Sequence, residues 1–207
     1  MPRVPNAVRT ETKLAALSRR ALLADPAEHA RRGVELDAAA ASSVLTRAEA
    51  QQIVEKAIKL SKADGVEVQV GTGYTGNVRF AANQMSTSGA ATNAQLAVQS
   101  SFGPKHAVVT TNDLSDESIR RVVEQSERIA RLAPDDPEAM PELPQQQYLP
   151  VTSWFERTAA LTPADRARAA LTALEMTRGS NGQLVAAGYL EAGMGSEALG
   201  NKSGLFA

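Results

Sequence analysis

The chain has 207 residues, 43% hydrophobic and 22% charged, a globular composition with enough length to bury a sizeable core. Lys plus Arg number 22 against 23 Asp plus Glu, a net charge of −1, so no basic field draws in phosphate backbones and nucleic acid is not an expected direct partner. Cysteine is absent, which excludes disulfides, thiolate zinc sites and cysteine nucleophiles and makes the cytoplasm the expected compartment.

Residues 1–45 are rich in Ala and Arg and end in LDAAAASSVL, which reads as a peripheral arm of one or two helices or partial disorder. Within it, SRRALL resembles a twin-arginine export signal only superficially. Asp25, Glu28, His29, Arg31 and Arg32 follow, where an export signal needs an apolar stretch. No run approaches the ~20 apolar residues of a membrane helix, so no membrane association is expected.

Thr46 and Glu49 have capping-box spacing, and Ile53, Val54, Ala57, Ile58 and Leu60 form an apolar helical stripe, predicting a helix over 47–63 closed by Asp64 and Gly65. From 66 to 111 the texture becomes alternation: Val66, Val68, Val70, then Val78 and Phe80, then Leu96 and Val98, then Ala107 and Val109. This predicts four or five short strands in an antiparallel meander. Its turns are expected at 73–77, at 83–85 or 89–93, and at 103–105.

Ser115 then caps a predicted helix with Ile119, Val122, Val123, Ile129 and Ala130 on one face and Arg120, Arg121, Glu124, Glu127 and Arg128 on the other. Five of the ten prolines fall in 134–150, which must therefore be an extended connector. Beyond it, Trp154 and Phe155 are expected anchors. Thr162 and Pro163 open a third helix bearing Ala167, Ala170, Leu171 and Leu174, with Gly179 closing it. Strand-like runs at 183–190 and 197–207 follow, the second with its alternation still running at Ala207, so continuation past that point is expected.

The predicted architecture is α+β: an arm (1–45), a sheet-and-helix domain (46–133) with an antiparallel meander covered by two helices, a Pro-rich connector (134–150), and the start of a second, incomplete α/β domain (151–207).

Gly71, Gly73 and Gly76 spell GxGxxG directly after the strand VEVQV. A dinucleotide fingerprint needs a helix after the last glycine and an acid ~20 residues on. Here 77–82 alternates as a strand and no Asp or Glu lies between Glu67 and Asp113, so a glycine-rich hairpin turn is the expected structure. The same window, 68–112, carries only Arg79 and Lys105 as formal charges among many Ser, Thr, Asn and Gln. A neutral polar sheet face points to contact with another domain, a partner chain or an extended peptide added to an edge, with an ordinary solvated face as the alternative.

Arg79 and Asn83 would share one face of a strand reaching that far, where Arg79 could hold a carboxylate such as a peptide terminus or simply tie down a loop. His29 and His106 each lack a second histidine at helical spacing, and no serine sits in a G-x-S-x-G elbow. Neither a metal site nor a catalytic residue is expected. Ser115, Asp116 and Glu117 are accounted for by helix capping and the helix dipole.

One ordered series carries a family resemblance: the helix after Thr46, DGVEV at 64–68, VRFAAN at 78–83, TTNDLS at 110–115, ARLAPDDP at 130–137 and ALGNKSGLF at 198–206. Together these cover about three quarters of the chain and resemble the amino-terminal region of the TldD/PmbA (TldE) proteins. The resemblance implies an α/β amino-terminal domain joined to a larger β-rich domain, in a homo- or heterodimer with a TldD/PmbA-type subunit that encloses a chamber for extended peptides. It also implies zinc in the full-length protein or its partner subunit, bound through HExxxH in TldD-type subunits, whose glutamate activates the metal-bound water. PmbA/TldE-type subunits lack that motif. No HExxxH occurs in this sequence, so no catalytic residue carries over and the chain alone is expected to be inactive. The alternative is a stand-alone peptide- or protein-binding α+β module with no link to proteolysis.

Overall fold

The computed structural model describes residues 44–178 and 183–207. Most of the 1–45 arm, His29 and the helix-closing role of Gly179 lie outside those residues. The described elements are α1 (Arg47–Leu60), β1 (Gly65–Ala81), β2 (Gln84–Phe102), β3 (Lys105–Thr111), α2 (Asp116–Leu132), α3 (Glu156–Ala159), α4 (Pro163–Arg178) and β4 (Gly188–Asn201). The four strands form one antiparallel sheet in the order β3-β2-β1-β4, so the fold is α+β.

Helix α1 begins on the complete Thr46/Glu49 capping box and buries Ala50, Val54 and Ala57. It stops at Leu60 rather than continuing to 63, because the next residues bind elsewhere. The Ser61 hydroxyl and the Lys62 N–H both donate to the carboxylate of Glu127 on α2.

The meander is built from fewer and longer strands than expected. β1 runs for 17 residues straight through Gly71, Gly73 and Gly76, and β2 runs for 19 through 89–93. The glycine-rich segment is thus strand interior, not a hairpin turn. Its glycines answer close neighbours: a Cβ at Gly73 would meet the Asn93 side chain at 2.7 Å, and one at Gly76 would meet the Arg166 guanidinium at 2.3 Å. The reversal falls instead at Ala82 and Asn83, both in the left-handed region at φ 48° and 60°, the signature of a two-residue hairpin turn. The second turn uses Gly103 at φ 55°, as the sequence predicts.

Two-residue alternation sends Val66, Val68 and Val70 of β1 and Leu96 and Val98 of β2 to one face, where they meet α1 and the Ile119, Val122 and Val123 stripe of α2. Ser126 lies on that stripe too, its hydroxyl 2.7 Å from that of buried Ser100. Ile129, expected on the inner face, is exposed, since the buried positions 119, 122, 123, 126 and 130 turn it to the flank.

Residues 134–150 carry neither helix nor ladder strand and are held to the sheet's end where Asn201 donates to the Leu143 carbonyl (2.8 Å) and the Phe206 N–H donates to Gln145 (2.8 Å). Trp154 and Phe155 are exposed rather than anchoring. α4 opens on reciprocal bonds between Thr162 and Asp165 and buries Ala170 and Leu174, whereas Leu171 points outward. It covers the same sheet face farther along, over Tyr74 and Val78.

Residues 151–207, read in sequence as the start of a second domain, contribute β4 to this same sheet, paired with β1 from Glu67↔Asn201 to Phe80↔Gly188. The two predicted runs are one strand, continuous through 191–196, while 183–187 lies outside the ladder. The chain then folds back so that Leu199 and Ala207 exchange backbone bonds of 3.1 and 2.9 Å.

A Cβ at Gly200 would lie 2.5 Å from Val54 and 3.1 Å from the Leu205 carbonyl. Gly200→Ala is therefore expected to cost about 1–3 kcal/mol in urea unfolding. Gly89→Ala, whose Cβ finds only Asn77 at 3.8 Å, should stay within about 0.5 kcal/mol. The capping carboxylates set the acid response. Hydrogen bonds hold Glu49 (from the Thr46 N–H and then its hydroxyl), Asp113 (from the Ser118 hydroxyl and then Ser115) and Asp165 (from Thr162 and then Arg168) below the ordinary carboxylate range. Stability from these groups is complete above their unfolded values near ~4 and is lost as pH falls through the lower folded values. Urea midpoints measured from pH 7 to pH 2 should decline in that acid window, less steeply in Asp113→Asn.

Candidate interaction face of the sheet

The odd-numbered positions of β1 point away from the helices. Register places Gln95, Asn93, Ala91 and Gly89 of β2 beside Gly71, Gly73, Thr75 and Asn77, with Glu197, Gly195, Gly193 and Glu191 of β4 on the other side. The middle of this face is a shelf of Gly, Ala and Thr. Two polar clusters bound it. At one end Gln69 donates to the Glu197 carboxylate above a shallow cavity of about 110 Å³ that the absent side chain of Gly71 leaves open.

At the other end stands Arg79, opposite Tyr189 in the β1–β4 register, its guanidinium 5.1 Å from the ring centre. The Tyr189 hydroxyl donates to the Glu191 carboxylate. That bond, then partial desolvation and the Glu191 charge, raise the phenol above its ordinary range, with Arg79 opposing. Arg79 is thus the cationic end of an Arg–Tyr–Glu series.

Asn83 is not on the same face, because β1 ends at Ala81 and Asn83 belongs to the turn. Its side chain donates to the Leu184 carbonyl (3.0 Å) and accepts from the Ala186 N–H (2.7 Å), tying the hairpin tip to the approach of β4. The structure therefore brings Arg79 and Asn83 to one end of the sheet but gives them different partners.

A larger cavity, about 520 Å³, opens between the connector and the sheet, lined by Asp64, His106, Asp136, Glu138 and Glu142 among others. Three of its carboxylates secure loops: Asp64 accepts from Gly103 N–H, Asp136 from Glu138 N–H, and Glu142 from Ser203. His106 Nδ1 lies 3.7 Å from Asp136. One imidazole beside carboxylates already bonded to the main chain does not fit a zinc site, and no group of three or more His, Cys, Asp or Glu among the described residues is arranged to hold a metal ion.

Arg166 is not among the residues the sequence singles out. It is 2% exposed on the covered face, donates to the Leu161 carbonyl (3.1 Å) and reaches the Tyr74 hydroxyl (3.4 Å). Its Nε has no partner, and no carboxylate pairs with it among the described residues. The signal was present, since 166, 170 and 174 form one helical stripe, but a basic residue on that stripe reads as solvated. No helix among the described residues is long and apolar enough to cross a membrane.

The family model described as PmbA/TldA metallopeptidase domain 1 matches residues 66–130. No curated protein sequence matches the chain. Among solved structures, the fold is similar to TldE from Thermococcus kodakarensis, with a TM-score of 0.68 at 14% identity over 76% of this chain and 35% of that one. It is also similar to a candidate modulator of DNA gyrase from Bacteroides thetaiotaomicron, at TM-score 0.64 and 13% identity over 76% of this chain and 37% of that one. A protein of like description from Thermotoga maritima gives 0.62 at 13% identity, over 76% and 36%. The chain thus spans little more than a third of the structures it resembles. The matched segment, the shared fold and the ordered helix–strand series agree, and residues 66–130 are a first domain of the PmbA/TldD type.

Proposed function

We propose that this chain is an amino-terminal, non-catalytic region of a PmbA/TldD-type peptidase, contributing one wall of a channel for extended peptides and a surface for subunit assembly. The supporting observation is the helix-free face of the sheet, a Gly/Ala/Thr shelf with Arg79 and Tyr189 at one end. Small side chains let another backbone approach closely, neutral ones make contact independent of peptide charge, and Arg79 supplies bidentate donors for a carboxylate. Hydrolysis, with the zinc that the family implies, belongs to a partner subunit or another part of the full-length protein, and the working compartment is the cytoplasm. The same face supports a second reading, a stand-alone peptide-binding module without chemistry.

The purified chain is expected to cleave no unstructured peptide with or without added zinc. Chelator-sensitive hydrolysis would overturn the non-catalytic assignment. Calorimetry with neutral extended peptides should detect binding that Thr75→Arg, a bulky charge placed mid-shelf, weakens at least tenfold and Arg79→Ala weakens less. Unchanged affinity in Thr75→Arg would remove the face from the proposal.

A further inference from the structure

Leu199 and Ala207 exchange backbone bonds, so the N–H and C=O of Leu199 point away from β1. Both main-chain groups of a strand residue project to one side and successive residues alternate, and the β1–β4 ladder runs from Asn201 to Gly188 without a shift. The N–H and C=O of Gly195 and of Gly193 therefore point outward as well, and among the described residues no hydrogen bond reaches them. Across from them stand Trp154, Phe155 and Thr158, beyond a cavity of about 300 Å³ that Met194 also lines. The indole is held in place by its Nε1–H, which donates to the Glu156 carboxylate (2.6 Å), while the two rings remain 45% and 60% exposed. No charged side chain lines the cavity.

We propose that this slot seats one extended peptide segment, which adds to the outer edge of β4 as an antiparallel strand and sets an apolar or aromatic side chain beside Trp154, Phe155 and Met194. Unpaired outward amides two residues apart are matched by an extended backbone, whose own amides repeat at the same spacing. The rung between Leu199 and Ala207 is this pairing already made farther along the same edge. Trp154, Phe155 and Thr158 close the far side, so the slot admits a lone strand and not the edge of a second sheet, which would bring its own neighbouring strands. The peptide residue opposite Met194 turns its side chain to the face of Met194, which lines the cavity with the two rings. The residues flanking it turn to the other face, where Gly193 and Gly195 present no side chain to clash. A carboxylate at the central position would be desolvated among uncharged groups, with Glu156 beside the indole. The inference rests on the peptide-binding part of the proposed function; it gives the peptide backbone a seat and its central residue a chemical class.

The acetylated, amidated pentapeptide Thr-Val-Phe-Val-Thr offers a Phe to lie opposite Met194 and a Val opposite each glycine. In calorimetry with the full chain, replacing its Phe by Asp should weaken binding at least tenfold. Trp154→Ala and Phe155→Ala should each weaken the Phe peptide at least about fivefold, both variants checked for a native circular dichroism spectrum and unfolding midpoint. Methylation of peptide nitrogens separates the edge from the shelf. The two Val amides point at β4 and the Phe amide points away, so methylating both Val nitrogens should abolish binding, while methylating the Phe nitrogen should change Kd less than about threefold. Trp154 is the one tryptophan of the chain, so its emission should shift as the Phe peptide is added. Equal effects of the two methylation patterns, indifference to both ring deletions, or unchanged emission at saturation would overturn the edge site. Binding that survives Val methylation and is lost in Thr75→Arg overturns the edge site and leaves the peptide reading on the shelf; a chain that binds no peptide overturns both.

Discussion

Every other feature of this fold depends on the unbroken two-residue alternation of β1. From Gly65 to the register shift after Arg79 the strand never slips, so each even side chain faces the helices and each odd one faces away. A one-residue slip would carry Val66, Val68, Val70, Tyr74 and Val78 out of the core together and leave the helices with Glu67, Gln69 and Asn77. Because β1 is central, pairing β2 on one side and β4 on the other, it also transmits this facing to both neighbours.

Helices then need to cover only one side of a long sheet, and they do so in succession. α1 and α2 take the end carrying Val66 to Val70, α4 the end carrying Tyr74 and Val78. The first cover is mostly apolar, and the hydroxyls of its buried Ser100–Ser126 pair satisfy each other and the Val123 carbonyl. The second includes the long guanidinium of Arg166, and it fits because Gly76 leaves room beneath it. Glycine inside a strand weakens it intrinsically; here it is the condition for close packing on one face and for a smooth surface on the other. The side left without helices is accordingly poor in side-chain bulk along its middle, with Glu67 and Glu197 toward one end of the shelf and Arg79 and Glu191 toward the other.

Local signals in the sequence were accurate where a few neighbouring residues settle the outcome. Thr46 with Glu49, Ser115, and Thr162 with Pro163 each begin a helix because the cap is made within one turn. The prolines of 134–150 exclude helix and ladder by their own geometry. Local signals mislead where the outcome depends on residues far away in the chain. Glycine at 73–77 is locally a turn signal, but cross-strand neighbours such as Asn93 and Met194 make it strand interior. Trp154 and Phe155 have the size of anchors but stay exposed beside Gly193 and Gly195 of β4, and Ile129 and Leu171 fall just off stripes that begin at Ser118 and Arg166.

The candidate face divides the same way. The scarcity of charge in its β1 and β2 residues is a property of the residue list, visible without coordinates, as is the absence of a paired-histidine metal motif, whereas Glu191 and Glu197 join the face from β4. That Arg79 meets Tyr189, that Asn83 instead ties the hairpin tip to Leu184 and Ala186, and that β4 completes the shelf all require residues more than a hundred positions apart to meet. Helix starts, the strand period, the connector and the charge of the polar face are therefore legible from the chain alone, because each is set by covalent geometry or by neighbours within a turn. The number of strands, the partner of each edge and the company of each polar side chain came only with the tertiary structure, because antiparallel pairing is chosen by the burial of whole faces, which no local window of sequence contains.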